Sequence, residues 1–248
     1  MTINMQAMLY LIYLDIRKAF RDVKYVAFII LLPVLFYLLY THIFSTKAAV
    51  GTISWSEYSL VSMISFGIMG NSINLLGTKI ADEKKQNWYI FIKTSVVDTK
   101  LYGISHIFSY LLISLVFTVT MFIVAFLVND VSLPFFMITK LVMSSLLGSI
   151  PFLILALIIG EFGSAAQPIG TILYLFLSFL GGLWMPIDAM PETMRKIAKY
   201  LPSYLYADNG WKILANKSFS FNNVIGLVVW STIFLIIYFL TQTIRKKN

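Results

Sequence analysis

The chain has 248 residues, 59% of them hydrophobic and 12% charged, with a formal net charge of +8 and a mean hydropathy of +0.83. These values lie far outside the soluble globular range and read as an integral membrane protein. The absence of cysteine excludes a disulfide framework and thiolate metal sites.

Residues 1–24 place Met5, Met8, Leu9, Ile12, Ile16, Ala19, Phe20 and Val23 at spacings of three and four, with Arg17, Lys18, Arg21, Asp22 and Lys24 on the opposite arc. The pattern predicts an amphipathic helix lying in the membrane interface, with an extension of the first span as the alternative. Charges ahead of the first apolar core, and no small-residue cleavage site after it, argue against a cleavable signal peptide.

Six apolar windows follow, at 25–44, 58–78, 104–128, 136–160, 167–185 and 224–241. Each approaches the ~20 residues that a helix needs to cross a hydrocarbon core. Period-two alternation is absent, so helices rather than barrel strands must satisfy the backbone. The expectation is an all-α polytopic membrane protein, a single transmembrane domain over residues 1–248. It comprises the N-terminal interfacial amphipathic helix, six transmembrane helices, and a short external re-entrant helical segment between spans five and six.

Twelve Lys and Arg residues fall on the side holding both termini and seven on the other, which favours termini inside the cell. Residues 79–101 then form a cytoplasmic loop and 186–221 an external segment. The loop contains Trp88, Tyr89, Ile90, Phe91 and Ile92 in one block. Such a block buries either in the membrane interface or in a partner's groove.

No phosphate loop or other nucleotide fingerprint occurs, nor any hydrolase or metalloprotease motif. No span centre carries the Asp, Glu or Arg that proton- or sodium-coupled carriers typically place there. Lys140 reads as a snorkelling lysine, Glu161 as a solvated carboxylate at a helix end, and His42 and His106 as interfacial or packing residues lacking a second metal ligand. The chain is therefore expected to be no enzyme, with no catalytic residue, no metal site and no cofactor of its own. The net charge is explained by anchoring to anionic lipid and gives no reason to invoke nucleic acid.

Beyond the fifth window the chain reads Gly182-Leu-Trp-Met-Pro186-Ile-Asp-Ala-Met-Pro191, then Leu201-Pro202-Ser-Tyr-Leu-Tyr-Ala-Asp208. The prolines break any continuous helix, while Met190, Met194, Ile197, Ala198 and Leu201 mark an apolar face. Short helices or a re-entrant pair are expected.

These two stretches resemble the "G-l-x-x-P-x-x-x-x-P" and "n-P-l-t-y-x-x-d" patterns of the membrane subunit, or permease, of type 2 ABC exporters. The arrangement of interfacial helix, six spans and loop after span two is similar along the whole length. The loop matches "E-x-x-x-G-T-x-e-x-L-x-x-x-P-v" in part, through Glu83, with Asn87 and Trp88 at the Gly-Thr positions and Val96 at the proline.

The resemblance implies a homodimer or heterodimer of permeases in the cell membrane, bound to two copies of a separate ABC ATPase subunit that uses ATP and Mg. Coupling to that ATPase is expected through Glu83, Asn87, Trp88, Tyr89 and Phe91. An external gate is expected from Trp184, Met185, Pro186, Met190, Pro191, Pro202 and Tyr204, with a simple amphipathic cap as the alternative. The translocation path is expected along span two, at Phe66, Met69, Asn71 and Asn74, since two amides in one span are costly unless paired or wet. The Gly and Ser residues of that span also suit plain helix packing. Aromatic and methionine-rich walls suit an amphipathic or hydrophobic cargo such as a drug, a membrane-active peptide or a lipid-linked molecule. The alternative from another class is a non-transporting membrane sensor or immunity-type scaffold with no ATPase partner.

Overall fold

The computed structural model describes residues 5–23, 26–44, 46, 48–86 and 99–245. Helix α1 (Met5–Arg21) is followed by a π-helical turn, Val26–Leu31, that leads into α2 (Leu32–Ile43). A short antiparallel hairpin, β1 (Ala49–Val50) and β2 (Ile53–Ser54), pairs Ala49 with Ser54 and Val50 with Ile53. Next comes a continuous rod made of α3 (Trp55–Gly70), a π-helical stretch (Asn71–Leu76) and α4 (Gly77–Lys85). The remaining helices are α5 (Thr99–Asn129), α6 (Phe135–Gly148), α7 (Ile150–Ile159), α8 (Ala166–Leu180), α9 (Glu192–Ala198), α10 (Pro202–Leu214) and α11 (Phe221–Arg245).

Of the described residues 84% are helical, as an all-α membrane protein requires. Among the described residues, four helical runs are long and apolar enough to cross a membrane: Trp55–Lys85, Leu101–Asn129, Phe135–Leu180 and Phe221–Thr243. The windows at 58–78, 104–128 and 224–241 lie within three of these. The window at 136–160 and the 167–180 part of the window at 167–185 share the 46-residue run Phe135–Leu180, about twice the length one crossing needs. That run reverses direction. Gly163 (φ 55°, ψ −124°) breaks it inside a 3-10 turn, and α7 and α8 both pack on Asn71–Leu76. Only glycine takes such a backbone without a Cβ penalty. The window at 25–44 holds a shorter apolar helix, Leu32–Ile43.

The rod is the centre of the structure. Every residue of α3 except Glu57 is buried, and a helix that is apolar all round belongs inside. Its start is a capping box. The Ser54 Oγ accepts from the Glu57 backbone N–H at 3.3 Å, and the Glu57 carboxylate accepts from the Ser54 N–H at 2.8 Å. Phe117 of α5 sits over Gly67, and Tyr174 of α8 sits over Gly70, where a Cβ would collide with either ring. The hydroxyls of Ser62 and Ser72 donate back to the carbonyls of Tyr58 and Ile68, so these buried polar groups need no water.

Helix α1 lies along α5, with Ile12 and Ala19 buried and Ile113 and Leu75 around Ala19. Met5, Leu9, Tyr10 and Tyr13 remain exposed. Residues 186–221 form a 3-10 turn (Ile187–Ala189), α9 and α10. The apolar face expected over 190–201 is divided. Met190 and Ala198 join Ile187 in a small core with Met194 and Tyr204 packed on it, whereas Ile197 is 51% exposed. Ten of the thirteen residues of α10 are buried, among α3, α6 and α11. This helix is wedged into the bundle rather than laid over it.

Helix α8 ends where the glycine pair predicts a break. The Leu183 N–H reaches the Ser178 carbonyl at 3.1 Å and the Gly182 N–H reaches Phe179 at 3.2 Å, with Gly182 at φ 78°. These are the two bonds of a Schellman cap. Gly182→Ala should cost about 1–2 kcal/mol for the left-handed backbone and press its Cβ on Ile187. Gly103 of α5 has open space around it, so Gly103→Ala should be neutral or stabilising by up to about 1 kcal/mol. Thermal melts in detergent check the pair, and a Gly182→Ala protein as stable as the native chain contradicts the account.

Candidate functional site

Two groups of side chains sit at opposite ends of the rod. At its α4 end, Asp15 of α1 meets Lys79 Nζ at 2.5 Å and His106 Nδ1 at 2.5 Å. Lys79 Nζ and His106 Nδ1 are 3.0 Å apart. Glu83, one turn beyond Lys79, accepts from the Tyr102 hydroxyl at 2.7 Å and lies 3.8 Å from Lys79 and 3.7 Å from His106 Nε2. Three helices, α1, α4 and α5, are thus joined by charge, next to a cavity of about 180 Å³ lined in part by Asp15, Asp82, Glu83 and Gln86.

The next residue ties the rod the other way. Lys84 pairs with Glu161 in the turn between α7 and α8, and the Gln242 side chain of α11 donates to the same carboxylate at 2.6 Å. Glu161 is only 5% exposed. The expectation of a solvated carboxylate is corrected: the fold brings a lysine from 77 positions away over a group that composition alone would leave in water. Adjacent residues Glu83 and Lys84 therefore reach two different partners, α5 and the α7–α8 turn.

Burial works to raise the Asp15 carboxyl, but the hydrogen bond and charge of His106, followed by the Lys79 ammonium, outweigh it and hold its pKa below the usual value. The sequence reading missed Asp15 and gave His106 only an interfacial or packing role. The available signal was position: Asp15 lies between Ile12 and Ala19 on the face that α1 buries.

At the α3 end, an aromatic ladder runs Phe44, Trp55, Tyr58, Trp211, Tyr204, with successive ring centroids 4.7, 5.8, 4.8 and 5.9 Å apart. The Tyr58 hydroxyl donates to the Gly182 carbonyl at 2.5 Å, and the Trp211 indole N–H donates to Ser62 Oγ at 3.2 Å. Asp208, the last residue of the second motif, accepts from Lys212 at 2.6 Å and from Asn223 at 2.7 Å, which joins α10 to α11.

Of the residues expected at the gate, Tyr204 is half-buried on the ladder, Pro202 opens α10 from a buried position, and Met190 is buried with Ile187. Met185 and Pro191 are exposed, and Pro186 is half-buried. Trp184 stands apart from the ladder, its ring 6.0–6.2 Å from Phe36, Phe66 and Phe179. Its indole N–H is buried with no hydrogen-bond partner among the described residues, a condition that costs about 1–3 kcal/mol.

The path candidates lie between the two ends. Phe66, Met69 and Asn71 are buried inside the chain. Asn71 donates to Ser114 Oγ of α5 at 2.8 Å, and Asn74 accepts from Thr171 of α8 at 3.3 Å. Both amides fall in the π-helical stretch, a geometry frequent at functional sites. Of the coupling residues only Glu83 can be placed; Asn87, Trp88, Tyr89 and Phe91 lie outside the described residues.

An acid titration follows from the Asp15 geometry. With a folded-state pKa below the unfolded value, its contribution is complete above roughly pH 4 and is lost as the pH falls through the lower folded value. Melting temperatures in detergent between about pH 6 and pH 3 should fall less steeply for Asp15→Asn than for the native chain. Identical slopes would remove Asp15 from the stabilising network.

A family model described as ABC-2 type transporter matches residues 6–214, a span from α1 to the last residue of α10 that includes most of both groups. The chain is also 28% identical over 236 residues to "Putative transport permease YvfS" of Bacillus subtilis (strain 168), covering 94% of this chain and 95% of that relative. With apolar helices of membrane-crossing length and a family match over most of its residues, the chain is a multi-pass membrane permease and belongs to the ABC-2 type transporter family.

Proposed function

We propose that the chain is the conduit of an ATP-driven exporter whose motor is a separate pair of ABC ATPase subunits using ATP and Mg. The permease half is a homodimer or heterodimer with six spans per chain and both termini on the ATPase side. Its cargo is an amphipathic or hydrophobic molecule. The observation that carries this reading is the junction at Glu83 and Lys84. One helix end, followed in sequence by the Trp88 to Ile92 block, is tied through Lys79 to α1, through Glu83 to α5, and through Lys84 and its partner Glu161 to the α7–α8 turn and α11. A push delivered to residues 87–91 would move these elements together.

The rod carries that push to the other end, where Tyr58 and Ser62 hold Gly182 and Trp211. In this reading the segment from Trp184 to Tyr204 is the outer gate, and the unpaired indole N–H of Trp184 gains a partner when the gate rearranges. Phe66, Met69, Asn71 and Asn74 border the path only when α2, α5 and α8 part from the rod, and the π-helical stretch is the place for it to bend.

The test is co-purification of the tagged chain with a phosphate-loop ATPase, followed by reconstitution in vesicles. Phe91→Ala should loosen the ATPase. Glu83→Ala removes a charge-assisted bond and should leave the ATPase bound, with ATP-driven export reduced about tenfold. A chain that transports uphill with no nucleotide-hydrolysing companion, or Glu83→Ala export at the native rate, overturns the proposal.

A further inference from the structure

A cavity of about 860 Å³ opens on the side of the bundle between α6, the start of α7, α10 and α11. None of the gate, path or coupling residues lines it. Its walls are mostly apolar, with Met143 and Leu147 from α6, Pro151 from α7, and Leu227 and Val228 from α11, interrupted by the uncharged polar side chains of Ser144, Asn209, Ser231 and Thr232. At one end stand Lys140 on α6 and Lys217 just before α11. The Lys140 ammonium lies 4.3 Å from the Phe136 ring centre, so its side chain is held at the rim of the groove. Neither lysine has an ion-pair partner among the described residues.

The dimensions narrow the occupant. From Lys140 to Pro151 a helix rises about 17 Å, and the hydrocarbon of a single leaflet is about 15 Å thick. The volume lies within the roughly 300–1,000 Å³ of ordinary ligand pockets. A groove with cations only at its rim and mostly apolar, otherwise uncharged walls one leaflet deep fits a molecule with an anionic head and an acyl chain. We infer that this groove binds one anionic phospholipid from the leaflet at the α10 end, its phosphate between Lys140 and Lys217 and an acyl chain along Leu147 and Leu227. Snorkelling accounts for a lysine at this depth; the groove adds a reason for two unpaired lysines to share one mouth. Lipid binding here requires neither an ATPase nor transport, so its test is independent of the exporter reading.

The experiment is native mass spectrometry of the full chain in detergent, titrated with dioleoyl phosphatidylglycerol and, separately, dioleoyl phosphatidylcholine. One phosphatidylglycerol should be retained about tenfold or more in preference to phosphatidylcholine, each basic residue at an anionic head contributing about fivefold. Lys140→Ala combined with Lys217→Ala should abolish that preference. Both side chains are exposed, so the fold is retained. Lys212→Ala, at a lysine already paired with Asp208, should keep the preference. Ser144→Trp, which fills the groove from α6, should reduce retention of both lipids. Equal retention of the two lipids by the native chain, or a preference that survives the double substitution, overturns the inference. A Ser144→Trp protein that changes its number of chains rather than its number of lipids also overturns it, and would give the groove to a second copy.

Discussion

The burial of one helix sets the conditions for everything else. Trp55–Lys85 is 31 residues long with 89% of its most apolar stretch enclosed, yet it contains serines, two amides and several charges. A polar group enclosed in this way must find its partner inside the protein. Ser62 and Ser72 turn back on their own helix, while Asn71, Asn74, Lys79, Glu83 and Lys84 each reach a different neighbour. Those partners fix where α5, α8, α1 and the α7–α8 turn lie. Apolar packing alone would let the same helices slide or rotate at small cost.

In the proposed exporter, this arrangement makes the two candidate groups parts of one device. A rod of 31 residues spans about 46 Å, long enough to carry the charge network at one end and the aromatic ladder at the other. Both ends are held by specific bonds rather than by general apolar contact. Between them the π-helical stretch is a local weakness in an otherwise regular ladder of hydrogen bonds, and it places Asn71 and Asn74 against separate helices. A mechanical link between a motor and a gate needs this combination of stiff ends and a defined joint.

The wedge formed by α10 shows how a motif can be legible while its structural reason is not. Gly182, Pro186, Pro191 and Pro202 marked breaks in the helix, and the breaks occur there because glycine permits the Schellman cap and proline opens the first turn of α10. What the pattern does not carry is depth. The apolar residues that looked like one face over 190–201 are divided between a small core and the surface. The deeply buried stretch is 202–214, where Trp211 finds Ser62 and Tyr206 lies against Gly148. Those contacts join residues 58 to 149 positions apart, which local periodicity cannot register.

By itself the sequence determined the membrane class, the helical character and the family, because apolar length, the absence of period-two alternation and a few spaced glycines and prolines are local, one-dimensional quantities. It also showed that the chain has no nucleotide fingerprint. Only the tertiary structure decided that Glu161 is buried beneath Lys84, that Asp15 bridges Lys79 and His106, and that the run from Phe135 to Leu180 folds back at Gly163. The reason is physical. An apolar window specifies that a helix sits in hydrocarbon but leaves open its rotation about its own axis and its register along its neighbours, and those two variables choose which polar side chains meet.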